Sequence, residues 1–199
     1  MIRNKNVAIF AAVITTLMGS LQAQGDKNSK NYNPKEGSEF KLCEIAVRAT
    51  KYHKTDPDAD YNTKRGLSST GIKLREAQTK VIGTVATNPE VIPAGSLVLV
   101  KTKNGDVLPY LSVDVGGAVT STKASRRLAE KENRPVEWAK RPVVDLYSKQ
   151  SRVHDWTKVI VIKDELPDGL TRTETAKLLS MRMNIKHWEK PLSEAVRAL

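Results

Sequence analysis

From residue 41 to about residue 163 the apolar residues come in short runs, and Gly, Pro, Asn or Asp separates most runs from the next. Runs of this length between such residues predict β-strands joined by turns. The expected strands are 42–50, 80–86, 96–102, 107–115, 142–147 and 158–163. In the first, Cys43, Ile45, Val47 and Ala49 face one way and Glu44, Arg48 and Thr50 the other. "KNGD" (103–106) predicts a hairpin turn, because Asn-Gly suits positive φ. "IPAG" (92–95) predicts a second turn. Two stretches change to helical spacing. In 121–141, Ala124, Leu128 and Ala129 recur at that spacing before Pro135. In 172–190, a cap at Thr171 or Thr173 starts a helix with Leu178, Met181 and Ile185 on one face. The methionines and Trp188 are read as packing residues. Six short strands with peripheral helices predict an all-β fold, a small closed barrel, since closure removes exposed edges.

The first residues break the pattern. Residues 1–23 have a basic start (Arg3, Lys5), an apolar run from Val7 to Met18, and small or polar residues up to Ala23. These are the marks of a secretory signal peptide, and the run is short for a membrane span. An uncleaved anchor is the alternative. Residues 24–40, polar and rich in Gly, Asn, Ser and Lys, read as a flexible linker. The domain expected to follow is 41–165, with a helical C-terminal extension at 166–199.

Export changes the meaning of the charge. The net charge of +11 falls to +9 when Arg3 and Lys5 leave. An exported, monomeric basic protein without stable membrane insertion would meet anionic envelope polymers rather than nucleic acid. Charge that serves solubility alone is the alternative. The single cysteine, Cys43, permits no internal disulfide and reads as a small buried hydrophobe.

Two acids interrupt apolar strands: Asp114 in "YLSVDVGGAV" and Asp145 in "RPVVDLYS". A buried carboxylate costs free energy unless it is paired, hydrogen-bonded or protonated. Two of them close together raise the pKa of one, which suits general acid catalysis at a glycosidic oxygen. Periodicity alone also allows the opposite arrangement, with Val113 and Val115 buried and Asp114 exposed. Gly116 and Gly117 favour a site, because glycines permit unusual backbone and close ligand approach. "SSTG" (68–71) adds hydroxyls in a loop.

Taken in order, "ATKYH" (49–53), "SSTG" (68–71), "GTVATNPEVIPAGSLVLV" (83–100), "VDVGGAV" (113–119) and "VVDLY" (143–147) resemble the 3D domain, a family named for three aspartates. The resemblance covers about residues 45–163. It implies a six-stranded double-psi β-barrel like that of the membrane-bound lytic transglycosylase A family. Expansin-like proteins are more remote kin. The implied activity is that of a secreted or periplasmic lytic transglycosylase. Such an enzyme cuts peptidoglycan glycan strands between N-acetylmuramic acid and N-acetylglucosamine and leaves a 1,6-anhydro end. No metal or organic cofactor is implied. By the same resemblance Asp145 is the general acid, and Asp114 holds it or stabilises developing positive charge. Gly116 and Gly117 floor the groove, and Tyr52, Thr70 and Asn88 are substrate-binding candidates.

Two departures from the family pattern stand out. Asn88 replaces the first aspartate, and an amide can hydrogen-bond there but carries no charge. A basic helical insert, 121–141, separates the last two aspartates. His53, His154 and His187 fall at no metal-ligand spacing, and Asp155 falls in a turn before the last strand. A non-catalytic glycan-binding barrel and a structural envelope protein with satisfied buried acids remain the competing functions.

Overall fold

The computed structural model describes residues 31–32, 41–78, 81–101, 107–120, 122–131, 133–149 and 158–192. The strands are β1 Asn31–Tyr32, β2 Lys41–Ala46, β3 Arg48–Tyr52, β4 Gly83–Thr87, β5 Leu97–Lys101, β6 Val107–Asp114, β7 Val143–Tyr147 and β8 Lys158–Lys163. They make one sheet in the order β1-β2-β8-β5-β6-β4-β7-β3. Seven of them curl into a half-barrel. The helices are α1 Tyr61–Lys64, α2 Gly117–Thr120, α3 Thr122–Lys131, α4 Val136–Lys140 and α5 Arg172–Arg182, followed by a 3-10 turn at Ile185–Trp188.

Seven principal strands replace the expected six because 42–50 is not one strand. β2 pairs antiparallel with β8, whereas β3 pairs parallel with β7 at the far edge of the sheet. The chain crosses over at Val47, and Arg48 N–H donates to the Pro142 carbonyl at 2.8 Å. Val47 and Arg48 are both buried, so Arg48 does not face outward as alternation predicts. Its guanidinium instead lies 4.5 Å from the ring centre of Trp138 on α4. Residues 31–32, expected within the linker, add an edge strand to β2. The "IPAG" turn is present, with Gly95 at φ 90°. The "KNGD" turn lies outside the described residues, although the strands on either side of it pair antiparallel from Lys101↔Val107 to Leu97↔Leu111.

Period-two alternation sorts the central strands into two cores. Leu97, Leu99, Leu111, Val113, Ile160 and Ile162 lie on one side, under Leu179, Met183, Trp188 and Leu192. Val98, Val100, Tyr110, Val159 and Val161 lie on the other, with Val85, Val144 and Leu146. The runs "LVLV" and "VIVI" are thus apolar throughout because both their faces are covered.

The C-terminal helical segment closes the first core. Thr171 caps α5 in a capping box with Glu174, satisfying two helix-end donors. The buried stripe is Leu179 and Met183, with Ala176 and Ile185 packed beside them, so of the expected Leu178, Met181 and Ile185 it is Ile185 that joins this core. Met181 is 60% exposed. Adjacent leucines at 178 and 179 fit either stripe, and docking on the sheet selects the second. Trp188 is fully buried and donates from Nε1 to the Arg182 carbonyl at 2.7 Å. Asp164 pairs with Arg182 at 2.9 Å, tying the helix end to the segment after β8. Gly95 passes so close to that guanidinium that a Cβ there would collide with it.

Candidate active site

Both aspartates end up inside. Asp114 is 7% and Asp145 9% exposed, whereas Val115 is 40% exposed. The arrangement with Asp114 outward and Val115 buried is therefore not the one adopted. Alternation holds along β6, where Leu111 and Val113 enter one core, so Asp114 takes the opposite face, which is covered as well, and a bulge sets what it faces. β4 and β6 run parallel with Val85 opposite Ser112, and the register then slips so that Ala86 stands opposite Asp114. The extra residue, Val113, enters the core under α5. Bulges of this kind re-aim a side chain, and here one brings Asp114 to the face of Ala86.

Ala86 is also the register partner of Asp145 on β7, and Asp145 is the partner of Thr50 on β3. Asp114, Ala86, Asp145 and Thr50 thus form one row across four strands. The two acids are separated by two strand spacings, about 9–10 Å between Cα atoms. The smallest chiral side chain lies between them in the row, which leaves room for the Tyr52 ring to pack there. Over the row sit Tyr52 and Val119 of α2, which pack with Ala86 and Val143.

The two carboxyls are held differently. Asp114 accepts from Tyr52 OH at 2.9 Å on Oδ2, and from the backbone N–H of Ser69 at 2.7 Å and of Val115 at 3.0 Å on Oδ1. Both its oxygens are engaged. Asp145 accepts from Thr50 Oγ1 at 2.7 Å on Oδ1. Among the described residues that is its hydrogen-bonding partner, and Oδ2 is left for another group. Burial raises the Asp145 pKa to about 6, against the pull of the Thr50 bond and with the charges of Asp114, Asp56 and Asp58 adding to the rise. Burial, then Asp114, pushes the Tyr52 phenol far above its ordinary range, so it stays a donor. Tyr52 also meets Tyr147 edge to face at 5.4 Å, and the His53 ring lies 5.1 Å from that of Tyr147.

The remaining candidates fall into two groups. Gly116 and Gly117 are exposed beside Asp114, and a Cβ at either would meet nothing within 4 Å. Neither has positive φ, so special backbone conformation does not explain them and the open approach does. Tyr52 faces Asp114 and acts on the acid as its hydrogen-bond donor. Thr70 turns inward: its Oγ1 donates to the Val113 carbonyl at 2.7 Å and meets Ser68 Oγ at 2.8 Å, pinning the 68–71 loop onto β6. Asn88 is outside the row. Its Oδ1 accepts from Glu90 N–H at 3.1 Å and its carbonyl from Val91 and Ile92 N–H, which makes it the first residue of a turn. Thr70 and Asn88 thus make these contacts within the fold, and neither belongs to the acid row. His187 pairs with Asp164 at 3.3 Å, away from the row, and His154 and Asp155 lie outside the described residues.

Four participants were not singled out from the sequence: Thr50, Ser69 and the loop acids Asp56 and Asp58. Thr50 looked like an outward residue of one long strand, and Ser69 acts through its backbone N–H. Asp56 accepts from His53 N–H at 2.6 Å and so holds the loop that follows β3. No protein-family model matches the chain, and no curated protein matches it.

Proposed function

We propose that the protein is a peptidoglycan lytic transglycosylase, a divergent relative of the 3D-domain proteins, with Asp145 as its general acid. The observation that carries this reading is the Asp145 carboxyl. It is buried, raised to about 6, held by one oxygen and coupled to Asp114 across Ala86. A general acid works best with a pKa near the working pH. Such a group can be protonated when substrate arrives and ionised once it has given its proton away.

The reaction needs little else. Asp145 protonates the glycosidic oxygen and the C1–O bond breaks with the electron pair leaving on that oxygen. Positive charge builds on the muramic acid ring, and the Asp114 carboxylate stabilises it. The ring's own C6 hydroxyl attacks C1 and returns a proton to Asp145, forming the 1,6-anhydro bond and restoring the acid. The open surface at Gly116 and Gly117 admits the sugar backbone. Two parallel strand pairs, β3–β7 and β4–β6, joined through antiparallel β4–β7, are consistent with a double-psi barrel. Secretion and peptidoglycan as the partner belong to the same proposal.

Asp114 favours a second reading. With three internal donors its carboxylate is well satisfied without any ligand, as in a non-catalytic glycan-binding barrel. Digestion of purified peptidoglycan separates the two. The first reading predicts anhydro-muropeptides by mass spectrometry, lost about 10²–10⁴-fold in Asp145→Asn. Folded wild-type protein that sediments with peptidoglycan but yields no anhydro product would establish the second.

A further inference from the structure

The helical insert carries a charged surface that the proposed chemistry does not use. On α3, Lys123, Arg126, Arg127 and Lys131 are all exposed. At 100° per residue they cover an arc of about 140°. Glu130 is the one acid within that arc, so it carries four cations against one anion. Ala129, on the opposite side, is 4% exposed. Among the described residues none of the four cations is paired with a carboxylate. Asn133, at φ 51°, ends the helix, as left-handed residues commonly do.

A row of cations on a helix is often only a solvated face. Here its attachment gives it a role. α3 begins two residues after α2 ends, and α2 packs on β4 and β7. Val119 of α2 is buried against Ala86, the residue between the two carboxyls. At the other end of the insert, the Trp138 ring holds the Arg48 guanidinium at 4.5 Å and Arg134 at 5.7 Å, fixing α4 to the start of β3. The basic helix is therefore secured at both ends to strands of the carboxylate row.

A glycan strand seated at that row would be polar and largely uncharged along its sugars. Its negative charge would lie in the carboxylates of the peptide stems. We propose that the basic arc of α3 docks those stem carboxylates, so that the site selects stem-bearing glycan over bare glycan. This rests on the reading of the site as glycan-binding, and it adds the substrate class.

Binding measured without turnover tests it. Full-chain Asp145→Asn protein is titrated with fluorescent glycan strands bearing peptide stems, with the same strands stripped by an amidase and their freed lactyl carboxylates converted to amides, and with a phosphate-rich polyanion. The expected result is roughly tenfold tighter binding of stem-bearing strands, abolished in Lys123→Glu/Arg127→Glu. A control with the same charge change elsewhere, Lys177→Glu/Lys186→Glu, should keep the preference, and added salt should shrink it. Equal binding of bare and stem-bearing strands would overturn the proposal. So would equal losses in the two double variants, or a preference for the phosphate polymer over the stems. Absence of anhydro product from wild-type protein would sink the enzymatic reading and leave this binding result intact.

Discussion

Neighbouring residues of β6 point into opposite worlds. Val113 enters a dry core sealed by Leu179, Met183 and Trp188, while Asp114 faces Ala86 and Asp145 under the short helix α2. The first region is built from apolar contact, with the Trp188 indole on the Arg182 carbonyl and the Arg182–Asp164 ion pair as polar anchors at its edge. The second buries two acids and has exposed glycines at its edge. The difference separates what holds the sheet together from what the sheet is arranged to do. Loss in the first region should cost stability. Loss of charge in the second should increase stability and cost activity, the usual conflict at a functional site.

The largest expected effect breaks the comparison on its stable side. Trp188→Ala removes a fully buried indole and should destabilise the fold by about 3–5 kcal/mol in denaturant unfolding. Asp145→Asn should act in the other direction. A carboxyl raised from 3.8 to about 6 favours the folded state below about pH 4 and loses that contribution as the pH rises through about 6. At pH 7–8 the ionised side chain therefore costs stability, up to roughly 3 kcal/mol. The asparagine variant should be more stable than wild type there, with the advantage gone below about pH 4. A variant less stable at every pH would place Asp145 with the structural residues.

Thr50→Val sharpens the comparison within the site. The Thr50 bond lowers the Asp145 pKa, so its loss should raise it. On the proposed reading the alkaline limb of the pH–activity curve, expected near 6 in wild type, should move upward. A limb that stays in place would remove Thr50 from the account. Asn88→Ala should have the smallest effect. Its amide serves a partly exposed turn, and its loss should change stability by about 0.5–1 kcal/mol with anhydro product release unchanged. A loss of activity comparable to that in Asp145→Asn would return Asn88 to the site.

These residues also show how far the sequence could be read. The strands were visible because β5, β6, β7 and β8 are apolar runs between turn residues, and Asp114 and Asp145 were visible because they interrupt such runs. The break at Val47 was not visible, because alternation continues through it while the strand partner changes. That hid Thr50 as the partner of Asp145. The bulge at Val85/Ala86 was equally hidden, since only pairing with β4 reveals that Val113 is the extra residue. Thr70 and Asn88 could be located by motif, and contacts within the fold engage the Thr70 hydroxyl and the Asn88 side-chain oxygen. The docking side of α5 depends on its partner surface, because adjacent leucines at 178 and 179 fit either stripe while Ile185 packs on the core in both.

The claim on which the site depends is that two buried acids are coupled so that one is a proton donor near neutrality. A carbon-13 NMR titration of the aspartate carboxyls, with Asp145 assigned by its loss in Asp145→Asn, measures this directly. The account predicts that Asp145 titrates at about 6 and that Asp114→Asn lowers this value, because the charge on Asp114 contributes to the rise. An Asp145 that titrates near 4 and does not respond to Asp114→Asn would contradict it.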